Sequence, residues 1–172
     1  YNIIMPQFGS HVTAYLDGTD EDHVRAAAEA AMAKGSLKLI IAETPANPTA
    51  AIVDLDLMVR IADEIGAKQG NRPLVVVDNT LLGPFAQRPI AHNVDLCMTS
   101  LTKYCGGHSD LLAGGISGRK ELIEQLKLQR TTWGNHLDPF TAWLVLRSLE
   151  TVSVRTERAM SNARLVAEYL RD

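Results

Sequence analysis

Two short apolar runs, residues 37–42 (broken only by Lys38) and 74–77, flank a stretch in which Leu55, Met58, Val59, Ala62 and Ile65 recur at helical spacing. A continuous apolar run of strand length suits a strand covered on both faces, whereas the recurring pattern suits a helix with one apolar stripe. Strand, helix and strand in that order make a crossover unit, whose strands must lie parallel. The pattern continues on either side. Residues 11–16, 95–99 and 111–117 read as further strands, and residues 24–33, 54–66 and 119–131 as helices. Thr19 offers a hydroxyl cap with Asp22 three positions on, and Gly35 is expected to end that first helix. Pro45 and Pro48 exclude regular structure between 44 and 49. Asp138-Pro139 sets a cap and a first helical proline, opening a helical stretch toward Asp172 with a break expected near Thr151. The fold class predicted is α/β, a mostly parallel sheet with helices on both faces.

A chain of 172 residues can bury one sizeable core, and no composition shift or linker divides it internally. Its net charge of -3 gives no reason to expect nucleic acid or an anionic membrane as partner. No apolar run approaches the length of a membrane span. Cys97 and Cys105 make no disulfide framework, which points to a reducing cytoplasm, and the histidines at 11, 23, 92 and 136 lack metal-ligand spacing. No metal site is expected. The chain starts at Tyr1 with no leader pattern and no initiator methionine, so it is expected to begin partway through a longer protein.

In open α/β sheets ligands collect beyond the carboxyl ends of the strands. Asn47 falls there after one strand, Asp78 and Thr80 after the next, and Ser100, Thr102 and Lys103 after a third. A primary amine and a carboxylate at two strand ends are what pyridoxal phosphate chemistry requires. The amine forms a Schiff base with the cofactor aldehyde, and the carboxylate pairs with the protonated pyridine nitrogen. Each residue has a plainer reading. A loop lysine is ordinarily a solvated charge, Asp78 could end a strand in a turn, and Ser100 and Thr102 could cap one. Gly106-Gly107 suits a tight turn, with His108 hydrogen bonding inside it, and Trp133 and Trp143 suit packing anchors. Cys105 reads as a loop residue. A receiver-like phosphoacceptor domain would need an acidic pair near the first strand and a proline after the lysine, and the chain has neither. Gly106-Gly107 and Gly114-Gly115 do not form a dinucleotide fingerprint. A non-catalytic relative would not need Lys103, Asp78, Ser100 and Thr102 together.

The run Ser100-Leu101-Thr102-Lys103-Tyr104, followed by Gly107-His108-Ser109-Asp110, resembles the cofactor-lysine signature of the Cys/Met metabolism family of pyridoxal phosphate enzymes. Glu43-Thr44-Pro45-Ala46-Asn47-Pro48-Thr49, Val77-Asp78-Asn79-Thr80 and the 144–155 block resemble further family segments in the right order. The resemblance implies a fold-type I, aspartate-aminotransferase-like enzyme, with residues 1–150 the later part of its large cofactor domain and 151–172 a helix leading toward a C-terminal domain. By the same resemblance Lys103 forms the Schiff base and carries protons, and Asp78 holds the pyridine nitrogen. Ser100 and Thr102 bind phosphate, Asn47 meets the phenolic oxygen, and Thr80 lies near the ring. Pyridoxal 5'-phosphate is the implied cofactor and a small sulfur-containing amino acid the implied substrate. The expected reaction is elimination or replacement at the γ carbon, of cystathionine γ-lyase or γ-synthase type. Methionine γ-lyase, cystathionine β-lyase and homoserine-ester sulfhydrylase are the alternatives. A homotetramer built from two dimers is implied too. Family members carry a ring-stacking tyrosine, glycine-rich phosphate contacts and a substrate-carboxylate arginine in segments this chain lacks. By itself it is therefore expected to be inactive.

Overall fold

The computed structural model describes residues 3–171, which divide into two compact units. The first comprises Tyr1–Asn79 and Arg88–Cys97, and the second Thr80–Gln87 and Met98–Asp172.

In the first unit, α1 (Glu21–Met32) is capped by Asp20, whose carboxylate accepts from the Asp22 and His23 amides. The expected hydroxyl cap is not used. Thr19 donates instead to Asp17 Oδ1 at 2.7 Å, and a carboxylate in the next position serves the free helix amides. The helix ends at Met32, and the Gly35 amide beyond it donates to the Met32 carbonyl at 3.2 Å, in keeping with the expected stop. Strand β1 (Leu39–Glu43) pairs parallel with β2 (Leu74–Asp78), in a register that sets Glu43 opposite Asp78. Between them runs α2 (Leu55–Gln69), capped by Asp54, which accepts the Leu57 amide at 3.0 Å. This helix passes through Gly66 and stops at Gly70, whose φ of +74° suits a residue without Cβ. Gly66 is instead a close-approach residue, since a Cβ there would come within 2.9 Å of the Arg72 side chain.

Leu55, Leu57, Met58, Ile61, Ala62 and Ile65 of α2 bury against Ile40, Ala42, Val75 and Val77, with Val24 and Ala28 of α1 closing the cluster. Burial of β1 alternates: Ile40 and Ala42 are buried, whereas Leu39 is 37 % exposed, so one face of the run is uncovered. Residues 11–16 form no strand. Side chains tether this segment in place of a ladder, with Thr13 donating to the Ala27 carbonyl and Tyr15 to that of Ile41. Arg25 and Arg60 share Glu21 and Glu64 across α1 and α2, and those hydrogen bonds pull the Glu21 carboxyl down to about 2. Buried Asp95 accepts both the Arg72 guanidinium (2.6 Å) and the Val75 amide (2.7 Å), fixing the start of β3 (Leu96–Ser100) beside β2.

The second unit contains a short α3 (Gly83–Ala86), the last residues of β3, and β4 (Gly114–Gly118), which neighbours β3. Three longer helices follow: α4 (Lys120–Trp133), α5 (Pro139–Leu149) and α6 (Val152–Arg171). Asp138 caps α5 by accepting the Thr141 amide, and the chain breaks between α5 and α6 at Thr151, as the sequence predicts. Strand β4 starts three residues later than expected. The tryptophans do not anchor packing: Trp133 is 78 % exposed and Trp143 is 56 % exposed, the latter beside Phe140 at 5.9 Å between ring centres. No residue of α4 is buried among the described residues.

Candidate functional site

In the first unit the apolar strand β2 delivers Asp78 at its carboxyl end, directly after the buried Val75, Val76 and Val77. Asp78 is half-buried, and its carbonyl accepts the Thr44 amide at 3.3 Å. It borders a cavity of ≈ 650 Å³, together with Tyr15, Ile41, Glu43 and Ala46. Burial pushes the Tyr15 phenol up to about 12, so it remains a proton donor across the neutral range. Asn47 lies on the loop after β1, exposed, its amide donating to Glu43 Oε1 at 3.2 Å.

In the second unit β3 ends at Ser100, and the chain turns at once into a short π-helix, Leu101–Cys105. The wide turn is closed by the Gly106 amide on the Leu101 carbonyl and the Gly107 amide on the Lys103 carbonyl, both at 2.7 Å. Lys103 itself departs from helical geometry, at φ -84° and ψ -115°. Its side chain is exposed, and its ammonium takes no hydrogen-bond or ion-pair partner among the described residues. One-turn π-helices are recurrent at functional sites. Nothing in the sequence periodicity marks this one.

The hydroxyls around the lysine differ in availability. Ser100 donates its amide to Thr80 Oγ1 at 2.8 Å, so Thr80 orders the end of β3. The Ser100 hydroxyl itself has no partner among the described residues. Thr102 Oγ1 donates to the Ala113 carbonyl at 3.2 Å and accepts the Ala113 amide at 2.9 Å, tying the turn to the lead-in of β4. To serve an anion, Thr102 must release the Ala113 carbonyl. His108 Nδ1 lies 2.7 Å from the Gly106 carbonyl, which makes it the donor and gives the histidine the structural part expected of it. Cys105 is no open-loop residue: it is buried, and burial pushes its thiol up against a smaller opposing effect of Arg155. A thiol so placed is a poor nucleophile.

Sequence reasoning assigned no part to Arg155. Its Nη1 donates to the Tyr104 carbonyl (2.7 Å), its Nη2 to the carbonyls of Cys105 (3.0 Å) and Ser148 (2.8 Å), and its Nε to Thr151 Oγ1 (3.1 Å). The guanidinium occupies the space a side chain at Gly107 would need. Gly107 also has φ +76°. The need for a glycine at 107 was readable; what fills the space was not.

An exposed amine, a carboxylate at a strand end, and a hydroxyl with its proton uncommitted are the donor types that pyridoxal phosphate takes at its aldehyde, ring nitrogen and phosphate. The donor set fits. The solved structures similar to this chain include a methionine gamma lyase from Micromonospora echinospora, 35% identical, with a TM-score of 0.83 over 96% of this chain and 43% of that one. A cystathionine gamma-lyase from Lactobacillus plantarum gives a TM-score of 0.87 at 29% identity, over 98% and 42% of the respective chains. The fold is that of the fold-type I pyridoxal phosphate enzymes. Within that class, residues 1–172 match the family described as Cys/Met metabolism PLP-dependent enzyme, and the chain belongs to that family. Among curated relatives, L-methionine gamma-lyase of Treponema denticola is 35% identical over 170 residues, 96% of this chain and 39% of the relative. A probable cystathionine gamma-synthase of Herpetosiphon aurantiacus is 38% identical over 157 residues, 91% and 46% respectively. The chain thus spans less than half the length of these relatives.

Proposed function

We propose that this chain is part of the cofactor domain of an enzyme that eliminates or replaces the γ substituent of sulfur amino acids, of cystathionine γ-lyase or γ-synthase type. The observation that carries the reading is the exposed Lys103 amine on its π-turn at the end of β3. Relatives named for γ chemistry, the methionine gamma-lyase and the cystathionine gamma-synthase, support the γ reading, and cystathionine β-lyase stays an alternative because relatives so named are equally similar. Methionine γ-lyase activity is the second reading, favoured by the similarity to the Treponema denticola and Micromonospora echinospora proteins.

Bound pyridoxal phosphate would supply an aldehyde for covalent attachment and a protonated ring that draws electrons from the substrate α carbon. Lys103 is the amine that would hold it. Once released, that amine would take the α proton and, for γ chemistry, carry a second proton from Cβ. Asp78 would keep the proton on the pyridine nitrogen. The Ser100 hydroxyl would donate to phosphate directly, and Thr102 after giving up its Ala113 acceptor. Asn47 would meet the phenolic oxygen, with Thr80 near the ring. Residues 1–150 would belong to the large domain, and 151–172 would lead toward a C-terminal domain. The whole protein would work in the cytoplasm as a homotetramer of two dimers on a small sulfur-containing amino acid.

The test is borohydride reduction of the protein with pyridoxal phosphate, followed by peptide mapping beside Lys103→Ala. The expected result is fixation concentrated on the Lys103 peptide and lost in the variant. Fixation spread over other lysines, unchanged by Lys103→Ala, would overturn the reading.

A further inference from the structure

The turn that carries Lys103 is too short to hold its own geometry. Isolated helical turns are unstable in water, and the carbonyls at the end of a helix have no partner within it. Here the closing bonds from the Gly106 and Gly107 amides use the Leu101 and Lys103 carbonyls, leaving those of Tyr104 and Cys105 to be met from elsewhere. One side chain meets both. The Arg155 guanidinium, a rigid planar fork of N–H donors, spans the Tyr104 and Cys105 carbonyls. Its remaining bonds, to the Ser148 carbonyl and Thr151 Oγ1, anchor the same fork to the junction of α5 and α6.

We infer that Arg155 is a positioning residue for Lys103: it fixes the π-turn against the α5–α6 junction and so sets where the lysine amine is presented. The inference rests on the reading of Lys103 as the cofactor lysine. Gly107 belongs to the same device. A Cβ at that position would overlap Nη1 and drive the guanidinium off the turn. A lysine at 155 cannot substitute, because an ammonium is a point donor and cannot span consecutive carbonyls in one plane.

The experiment compares wild type, Arg155→Met, Arg155→Lys and Gly107→Asn in the full chain. Asparagine tolerates the left-handed backbone of position 107, yet its Cβ still displaces the guanidinium. The first readout is amide hydrogen exchange without cofactor. The amides at positions 106 and 107 are expected to exchange at least roughly tenfold faster in every variant, after correction for the intrinsic rate of the residue at 107, the scale of losing hydrogen bonds to a charged group. Amides of α4 and of β1 should stay unchanged, which a general loss of stability would not allow. In the second readout pyridoxal phosphate is the probe, and borohydride fixation at Lys103 is expected to slow by a similar factor. Millimolar guanidinium ion should recover part of that loss in Arg155→Met and none in Gly107→Asn. Unchanged exchange at Gly106 and Gly107 in folded Arg155→Met, or in Gly107→Asn if the former does not fold, would overturn the inference. So would fixation at Lys103 at the wild-type rate. If instead Lys103→Ala leaves the fixation pattern of wild type unchanged, the reading of the lysine itself fails, whatever the exchange data show.

Discussion

Ile61 in α2 and Leu128 in α4 are both aliphatic residues within amphipathic helices, but Ile61 lies on its helix's apolar side and Leu128 lies across its helix from Leu122, Ile123 and Leu126. In the structure Ile61 is 1 % exposed and Leu128 is 70 % exposed. The contrast holds for the units that contain them. The first has an aliphatic core built by α1, α2, β1 and β2. The second leaves Phe140, Trp143, Leu146, Val154 and Leu165 more than half exposed, and its lysine turn is held by Arg155, Thr102 and the glycine amides. Burial holds the first unit together, whereas hydrogen bonds hold the lysine turn of the second. Burial is non-directional and fixes a core without aiming any one atom, whereas hydrogen bonds fix direction.

Matched truncations can break or sharpen this contrast. Ile61→Ala should destabilise the chain by about 2–5 kcal/mol in urea unfolding, from lost burial and a residual cavity. A cost below about 1 kcal/mol would mean that the first unit's core is looser than its burial shows. Asp54→Ala should cost about 1 kcal/mol by removing the cap of α2, read as a lower unfolding midpoint at unchanged slope. Leu128→Ala should change stability by no more than about 0.5 kcal/mol. A larger loss would show that α4 is covered in solution and would erase the difference between the units.

How much was legible follows from the same distinction. Periodicity found α2, β1 and β2 because burial writes itself as spacing: Leu55, Met58, Ala62 and Ile65 all face the core. It placed Asp78 and Lys103 at strand ends, since polar residues directly after apolar runs mark where strands stop. It stopped α2 too early, at Gly66, because a glycine can end a helix or admit a neighbour, and Gly66 admits Arg72. Residues 11–16 carry strand-like spacing but are tethered through Thr13 and Tyr15 side chains, a choice made by tertiary partners. The π-turn and its arginine left no periodic trace, because a single wide turn is specified by who donates to whom. The exposed tryptophans misled for a simpler reason: bulk predicts burial only where another surface lies opposite.

The shared volume at Gly107 and Arg155 makes these positions, far apart in sequence, one heritable unit. A chimaera with its crossover between them draws glycine and guanidinium from different parents, and inherits a working lysine turn only if both parents made the same compact. Grafting the lysine signature alone onto another scaffold would carry across Lys103 without the guanidinium fork that holds its turn.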